Sequence, residues 1–367
     1  SGPNGLTAAI ELARAGRRVH VLEAAAVPGG GTRSDELIEP GTWHDVCSAI
    51  HPLALASPAW RDLPLHDHGL EWVHPEVEVA HVVDGGGAGV LRRSLDATAT
   101  GLGDDGAAYR RALRPLVEAG HDLIDGILSP LAIPPRHPIH MARFGLAGIG
   151  SAQRFARRFR SDAASGLFAG LAAHAILPLD RAITAGTGLL FGALGHVVGW
   201  PQPVGGSQRI ADALVGVLAA HGGTVECGVE VTSLDEFPAG ATVVLDVTPR
   251  QLAAIAGDRL PRRYGRRLGR FRYGAGAFKL DYVLSGPVPW ANADARVAGT
   301  VHVGGGVAEV AASEAAVGAG RHPDRPFVLV AQPTVFDPAR SATGRHVVWA
   351  YCHVPHGSTV DMTAAVE

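Results

Sequence analysis

The residues best placed to do chemistry stand at the start of the chain, where Ser1-Gly2-Pro3-Asn4-Gly5 precedes an amphipathic run and Glu23 closes the apolar run after it. Gly2, with no Cβ, lets backbone approach a pyrophosphate closely, and Gly5 lets a helix pack tightly on a sheet. An acid ending the next strand accepts hydrogen bonds from a ribose hydroxyl. Glycines, helix, strand and acid in this order describe a dinucleotide cradle, against the plainer reading of an ordinary strand-to-helix turn. A second candidate is Lys279, the only lysine in the chain, set among apolar residues in Ala277-Phe278-Lys279-Leu280-Asp281-Tyr282. A buried ammonium costs several kcal/mol unless paired. It is therefore a functional lysine, a partner of Asp281, or a side chain reaching solvent at a strand edge.

The elements that must position the cradle follow from periodicity. Leu6, Ala9, Ile10 and Ala13 recur at helical spacing, predicting a helix from Leu6 to Ala15 with Gly16 as its left-handed cap. The free N–H groups of its first turn, with its dipole, favour phosphates. Arg18 to Leu22 alternates as a half-buried strand and runs into Glu23. The pattern G-x-G-x-x-G asks for one more glycine before Ser1 and a strand before that, so the chain is expected to be a fragment that begins inside its own motif.

The run Gly2 to Gly16, then Val21-Leu22-Glu23 and Pro28-Gly29-Gly30-Gly31-Thr32-Arg33, resembles the FAD-binding start of phytoene desaturase-related flavoproteins, within the amine oxidase and glutathione reductase-like group. The resemblance implies an α/β fold: a Rossmann-like FAD-binding domain with an inserted α+β substrate domain. It implies that Gly30, Gly31 and Arg33 return to the pyrophosphate with backbone donors and a guanidinium. Pro203-Val204-Gly205-Gly206-Ser207-Gln208 and the segment through Val231 resemble the family's return to the FAD domain, placing Gly205 and Gly206 in it and Val231 beside the adenine. Residues 241–249 resemble the strand and turn that follow. The stretch containing His44 and His51 runs near the flavin in that family, where a histidine carries protons near neutral pH. Lys279 falls where amine oxidases hold a water against the flavin. The family also closes with a glycine-rich segment beyond Glu367, a further reason to expect a fragment lacking both ends.

Composition bounds the rest. With 47% hydrophobic residues over 367 positions, the chain is globular and long enough for two domains. A net charge of −3 with scattered arginines gives no reason to expect nucleic acid. Cys47, Cys227 and Cys352 are far apart and form no C-x-x-C pair, which excludes a redox disulfide of that type and points to a reducing, cytoplasmic compartment. The histidines between His66 and His81 fit no metal-ligand spacing, so no metal is expected. Ile183 to Gln208 contains no charged residue, yet Gly186, Gly188, Gly192, Gly195 and Gly199 dilute it and Trp200-Pro201 stops it. A buried helix and loop is the reading, a membrane-dipping surface the alternative. Arg154, Arg157, Arg158 and Arg160 form a basic run that is either a solvated face or a peripheral contact with anionic membrane.

Residues 1–60 read as the first part of the FAD domain, 61–200 as a mostly helical substrate domain, 201–258 as the second FAD part and 259–367 as the substrate-domain sheet. Helices are expected at 106–120, 121–131, 138–159 and 163–175, and a glycine-rich hairpin at 84–89. The expected activity is FAD-dependent removal of hydride from a small apolar substrate of isoprenoid or carotenoid type. A flavin amine oxidase and a non-catalytic, truncated FAD-binding module are the alternatives. No G-x-S-x-G elbow occurs, so a hydrolase is dropped.

Overall fold

The first helix forms where its apolar spacing requires it, over Pro3–Arg14, with Leu6, Ala9, Ile10 and Ala13 all buried. Proline is tolerated in its first turn because that N–H has no helical partner. Gly16, at φ +76°, turns the chain out of it. The computed structural model describes residues 1–130 and 132–367. Its strands are β1 (His20–Glu23), β2 (Val77–Val82), β3 (Ala88–Leu91), β4 (Thr224–Cys227), β5 (Gly276–Leu284), β6 (Ala298–Val303), β7 (Val328–Ala331) and β8 (His346–Val354), with short two-residue pairs besides.

β1 pairs in parallel with β4, His20 opposite Thr224 and Glu23 opposite Cys227. The helices Pro3–Arg14 and Gln208–Ala220 share one apolar cluster, which includes Leu6, Ile10, Ile210 and Leu214. A parallel pair needs a crossover. Here that crossover contains the whole helical insertion. The fold is the expected mixed α/β arrangement with a Rossmann-like domain. The strand expected over 241–249 does not form: 241–247 joins no ladder, and Val244 and Val247 are exposed. Strand geometry persists only when its backbone groups find a ladder partner, and none lies alongside.

The second layer is a six-stranded mixed sheet in the order β3-β2-β6-β7-β8-β5. β2 and β6 run in parallel, and the remaining neighbours are antiparallel. The hairpin at 84–89 joins β2 to β3 as expected, with Gly85 and Gly86 both at positive φ. One face carries Val301, Val328, Val330, Val348, Ala350 and Cys352. The other presents Val79, His81, Thr300, His302, Trp349 and His353, all buried.

Helices cover that second face. Gly106–Leu128 runs on through the expected break, kinked where Gly120 takes φ 52°, ψ −128°; the expected end at Leu131 lies outside the described residues. The helix expected over 138–159 splits into Pro138–Gly148 and Ala152–Ala156, because Ser151 is extended and its side chain caps the backbone of Arg154. Asp162–Ala173 is buried from Ala164 onward. It sinks onto the sheet through glycines one turn apart: a Cβ on Gly170 would lie 2.6 Å from Nδ1 of both His81 and His302. The uncharged stretch forms the buried helix Thr184–Val197 and ends at buried Trp200. No described helix is long and apolar enough to cross a membrane.

The dry interior sets the charge of its histidines. Burial brings His81 and His196 down to about 4 and His174 to about 3, and pushes His302 well below the usual imidazole value. His174 and His302 share a hydrogen bond of 3.3 Å, and His81 donates to the Gly305 carbonyl at 2.6 Å. In the unfolded chain these groups take up protons near pH 6.5, whereas the folded ones stay neutral well below that. Stability is therefore complete above pH 6.5 and falls as pH drops toward 4, by about 1 kcal/mol per histidine per pH unit. A series of thermal melts from pH 7.5 to 5 should show the midpoint falling steadily below about pH 6.5; a flat profile would mean that the histidines are hydrated.

Candidate dinucleotide site and the face beside it

The two glycine clusters meet at the start of the first helix. Gly29 donates its N–H to the Ser1 carbonyl at 3.0 Å. Gly29 and Gly30 both take positive φ, and a Cβ on Gly30 would stand 3.1 Å from Gly2 Cα. Arg33 donates from Nε to the Gly30 carbonyl at 3.0 Å, keeping its guanidinium at the turn. Ser1, Gly2, Pro3, Asn4, Gly5, Gly30, Gly31 and Arg33 are thus brought together.

Glu23 ends β1 and accepts from the Ser1 hydroxyl at 2.7 Å and Ala25 N–H at 2.9 Å. Burial works to raise its pKa, and the hydrogen bonds from Ala25 N–H and the Ser1 hydroxyl work to lower it. Beyond the end of β4 the chain stays beside the acid, with Val229 N–H donating to the Glu23 carbonyl at 2.9 Å and Val231 half-buried two residues on.

These residues fit a dinucleotide on two counts: a backbone cradle that a single Cβ would fill, and a charged acid at the strand end. One contact competes. Asp246 accepts from Gly5 N–H at 2.8 Å, so a carboxylate caps the helix start where a phosphate would bind. Its side chain is exposed, and a bound phosphate would have to displace it.

Gly205 and Gly206 serve a different contact from the cradle. Gly205 N–H donates to Asp337 Oδ2 at 2.7 Å, and a Cβ on Gly206 would fall 2.6 Å from Ser34 Oγ. Both belong to a buried polar network centred on Arg340, whose guanidinium lies 2.8 Å from Asp45 Oδ2 and 3.3 Å from Asp337 Oδ2. Asp45 Oδ1 accepts from Ser34 Oγ and Ser207 N–H, each at 2.7 Å. Burial would raise the Asp45 pKa; the charge of Arg340 and these hydrogen bonds outweigh it and lower it. Reading the sequence missed Arg340, because nothing local marks an arginine that pairs with an acid 295 positions away.

His51 joins this network. Its Nε2 is 2.8 Å from Ser207 Oγ, which donates to the Ser48 carbonyl at 2.8 Å. Burial lowers its pKa to about 4, against the pull of Asp45, so it is neutral at pH 7.

The loop from Asp45 to His51 links the glycine turn to the sheet. Ser48 donates from both N and Oγ to the Gly31 carbonyl at 3.0 Å, and Cys47 Sγ stands 3.7 Å from where a Cβ on Gly31 would be. On its other side Ala49 packs with Leu329, Ala331 and Trp349, flanked by Ile50 and Tyr351. Tyr351 is the register partner of Lys279, and Trp349 of Asp281. Lys279, mostly buried, is ion-paired with Asp281, and His44 Nδ1 stands 3.3 Å from Asp281 Oδ1. Burial, then the charge of Glu314, pushes the Tyr351 phenol up, so it stays protonated. Lys279 and His51 therefore approach the loop from different sides: the lysine on the sheet face, the histidine in the network around Ser207. Among the described residues no three or more His, Cys, Asp or Glu side chains converge on a metal position.

Comparison with known proteins agrees with this geometry. Residues 1–64 match the profile of the NAD(P)-binding Rossmann-like domain. An oxidoreductase from Methanosarcina mazei superposes at TM-score 0.61 with 18% identity, covering 97% of this chain and 78% of that one. Putrescine oxidase bound to putrescine superposes at 0.56 with 18% identity over 96% and 74% of the two chains. Reduced UDP-galactopyranose mutase superposes at 0.53 with 15% identity over 99% and 74%. At such identities the likeness shows the fold. No curated protein matches the sequence.

Two substitutions test the site. Arg340→Met strands two buried carboxylates and should cost about 3–5 kcal/mol in denaturant unfolding, the usual loss when one partner of a buried pair is removed. Gly30→Val places a side chain against Gly2 at a positive φ and should weaken binding of added FAD, followed by fluorescence titration, by about tenfold or more, while the backbone strain, about 1–3 kcal/mol, lowers the melting midpoint without unfolding the protein.

Proposed function

We propose that this protein is an FAD-dependent oxidoreductase acting on an apolar, isoprenoid- or carotenoid-like substrate, in the manner of the phytoene desaturase-related flavoproteins. The observation that carries the cofactor reading is the folding of Gly30 onto Gly2 at a helix start, with Glu23 charged at the adjoining strand end. FAD, when bound, supplies a two-electron acceptor for hydride leaving carbon. The chain's own residues would do the rest. Backbone at 1–5 and 29–31, with Arg33, would hold the pyrophosphate, Glu23 a ribose hydroxyl, and the segment at Val231 the adenine end.

The loop from Asp45 to His51 positions whatever lies between the glycine turn and the sheet. Neutral His51 holds Ser207 and so fixes that loop. Ala49, Ile50, Leu329, Ala331 and Trp349 make the neighbouring surface apolar, which favours an apolar substrate and excludes water. Among the described residues Lys279 is the one lysine or arginine on that sheet face, and its pairing with Asp281 keeps it oriented there as a proton-handling group.

Amine oxidation is a second reading, favoured by the aromatic corner of Trp349 and Tyr351, whose rings lie 5.0 Å apart at 70°. Aromatic faces attract a cationic amine, and the likeness to putrescine oxidase fits it.

Anaerobic absorbance of the FAD-loaded protein separates these readings. Bleaching by a polyene or isoprenoid is the expected outcome. Bleaching by a diamine alone would transfer the assignment to amine oxidation, and bound FAD that neither substrate bleaches would mean a non-catalytic module. Failure to take up FAD at all would sink the proposal. Lys279→Met should slow the bleaching by about tenfold or more while leaving FAD affinity unchanged, as for loss of a proton-handling group.

A further inference from the structure

The helix Pro138–Gly148 is apolar on both sides. Met141, Phe144 and Ala147 pack against the main core, whereas Ile139, Ala142, Arg143 and Leu146 are exposed. Those four positions are spaced i, i+3, i+4 and i+7, one continuous stripe. A surface helix normally turns polar residues to that side. Here Ile139 is 65% exposed and Leu146 83%.

The patch continues beyond the helix. Ile149 and Ile183 are each 68% exposed, and they are held side by side by the bond from Ile183 N–H to the Ile149 carbonyl at 3.0 Å. Ile183 takes φ +75°, a conformation that β-branched residues rarely adopt. A chain relaxed for water would place neither an isoleucine in that backbone nor its side chain outside.

Charge says what meets this surface. Between Asp125 and Asp162 there is no acidic residue, but there are six arginines, Arg136, Arg143, Arg154, Arg157, Arg158 and Arg160, all exposed. The chain as a whole is net −3, so this segment is locally positive against that background, as is 259–272 with its seven arginines. Exposed aliphatic side chains with Arg143 in the same stripe, on a segment that carries five further exposed arginines, match the acyl edge and anionic headgroups of a bilayer. A second copy of the chain would instead set arginines against arginines.

We propose that this face, Ile139, Leu146, Ile149 and Ile183 with the six arginines, seats the protein on an anionic lipid surface without spanning it. The proposal does not depend on the flavin reading, and its test uses no cofactor. In sedimentation with vesicles, the protein should pellet with a phosphatidylcholine and phosphatidylglycerol mixture, and about tenfold less with phosphatidylcholine alone or in high salt, as screened headgroup attraction requires. Leu146→Glu combined with Ile149→Glu should abolish pelleting while circular dichroism and the melting midpoint stay unchanged, since both side chains are already in water. Arg154→Glu with Arg157→Glu should weaken it in the same mixture. Equal binding to both vesicle types, or binding that survives both pairs of changes, would overturn the proposal. So would a lipid-free dimer in sedimentation velocity that Leu146→Glu and Ile149→Glu dissociate, since it would assign the face to a second copy.

Discussion

One fully buried guanidinium holds the site region together. Arg340 faces Asp45 and Asp337, and through them Ser34, Gly205, Ser207 and His51, so three distant parts of the chain share one set of hydrogen bonds. Two carboxylates and one guanidinium out of water are tolerable only when each finds its partners, because each unmet charge keeps its desolvation cost. The network is consequently all-or-none. It ties the residues after the glycine turn to the loop that runs toward the sheet, and it fixes both against the segment that returns to the Rossmann-like domain.

Close approach does the same service on the helix-covered face of the six-stranded sheet. Gly166 and Gly170 let the Asp162–Ala173 helix lie directly on His81 and His302. That contact leaves no room for water, which is why burial keeps these imidazoles neutral. Neutral imidazoles beside the apolar patch of Ala49, Leu329, Ala331 and Trp349 make that side of the sheet dry. Lys279 with Asp281 then stands out as a lysine–carboxylate pair on that face, which also carries His353 against Glu314.

The fold itself does not choose among chemistries. Solved proteins with this architecture include an oxidoreductase, an amine oxidase and a mutase, and function resides in the site carried by the fold. What particularises this chain is the surface made by Ala49, Trp349, Tyr351 and Lys279, together with Asp246 at the helix start.

Local signals in the sequence determined the cradle: the apolar stripe Leu6, Ala9, Ile10 and Ala13, the cap at Gly16, the strand ending in Glu23 and the glycines at 29–31 all depend on neighbours within a few residues, and periodicity records such neighbours directly. The hairpin at 84–89 was legible for the same reason. Strand β6 was not read, although it lies inside the sheet, because its six residues include Thr300 and His302 and its partners are remote in the chain. The strand expected at 241–249 failed for the converse reason: its composition suits a strand, but pairing is supplied by tertiary structure. Only the tertiary structure set Arg340 between two acids, seated His51 on Ser207 and turned Ile139 and Leu146 outward. Pairing of buried charges, and which side of an all-apolar helix is left uncovered, are decided by residues hundreds of positions apart, and no local pattern encodes them.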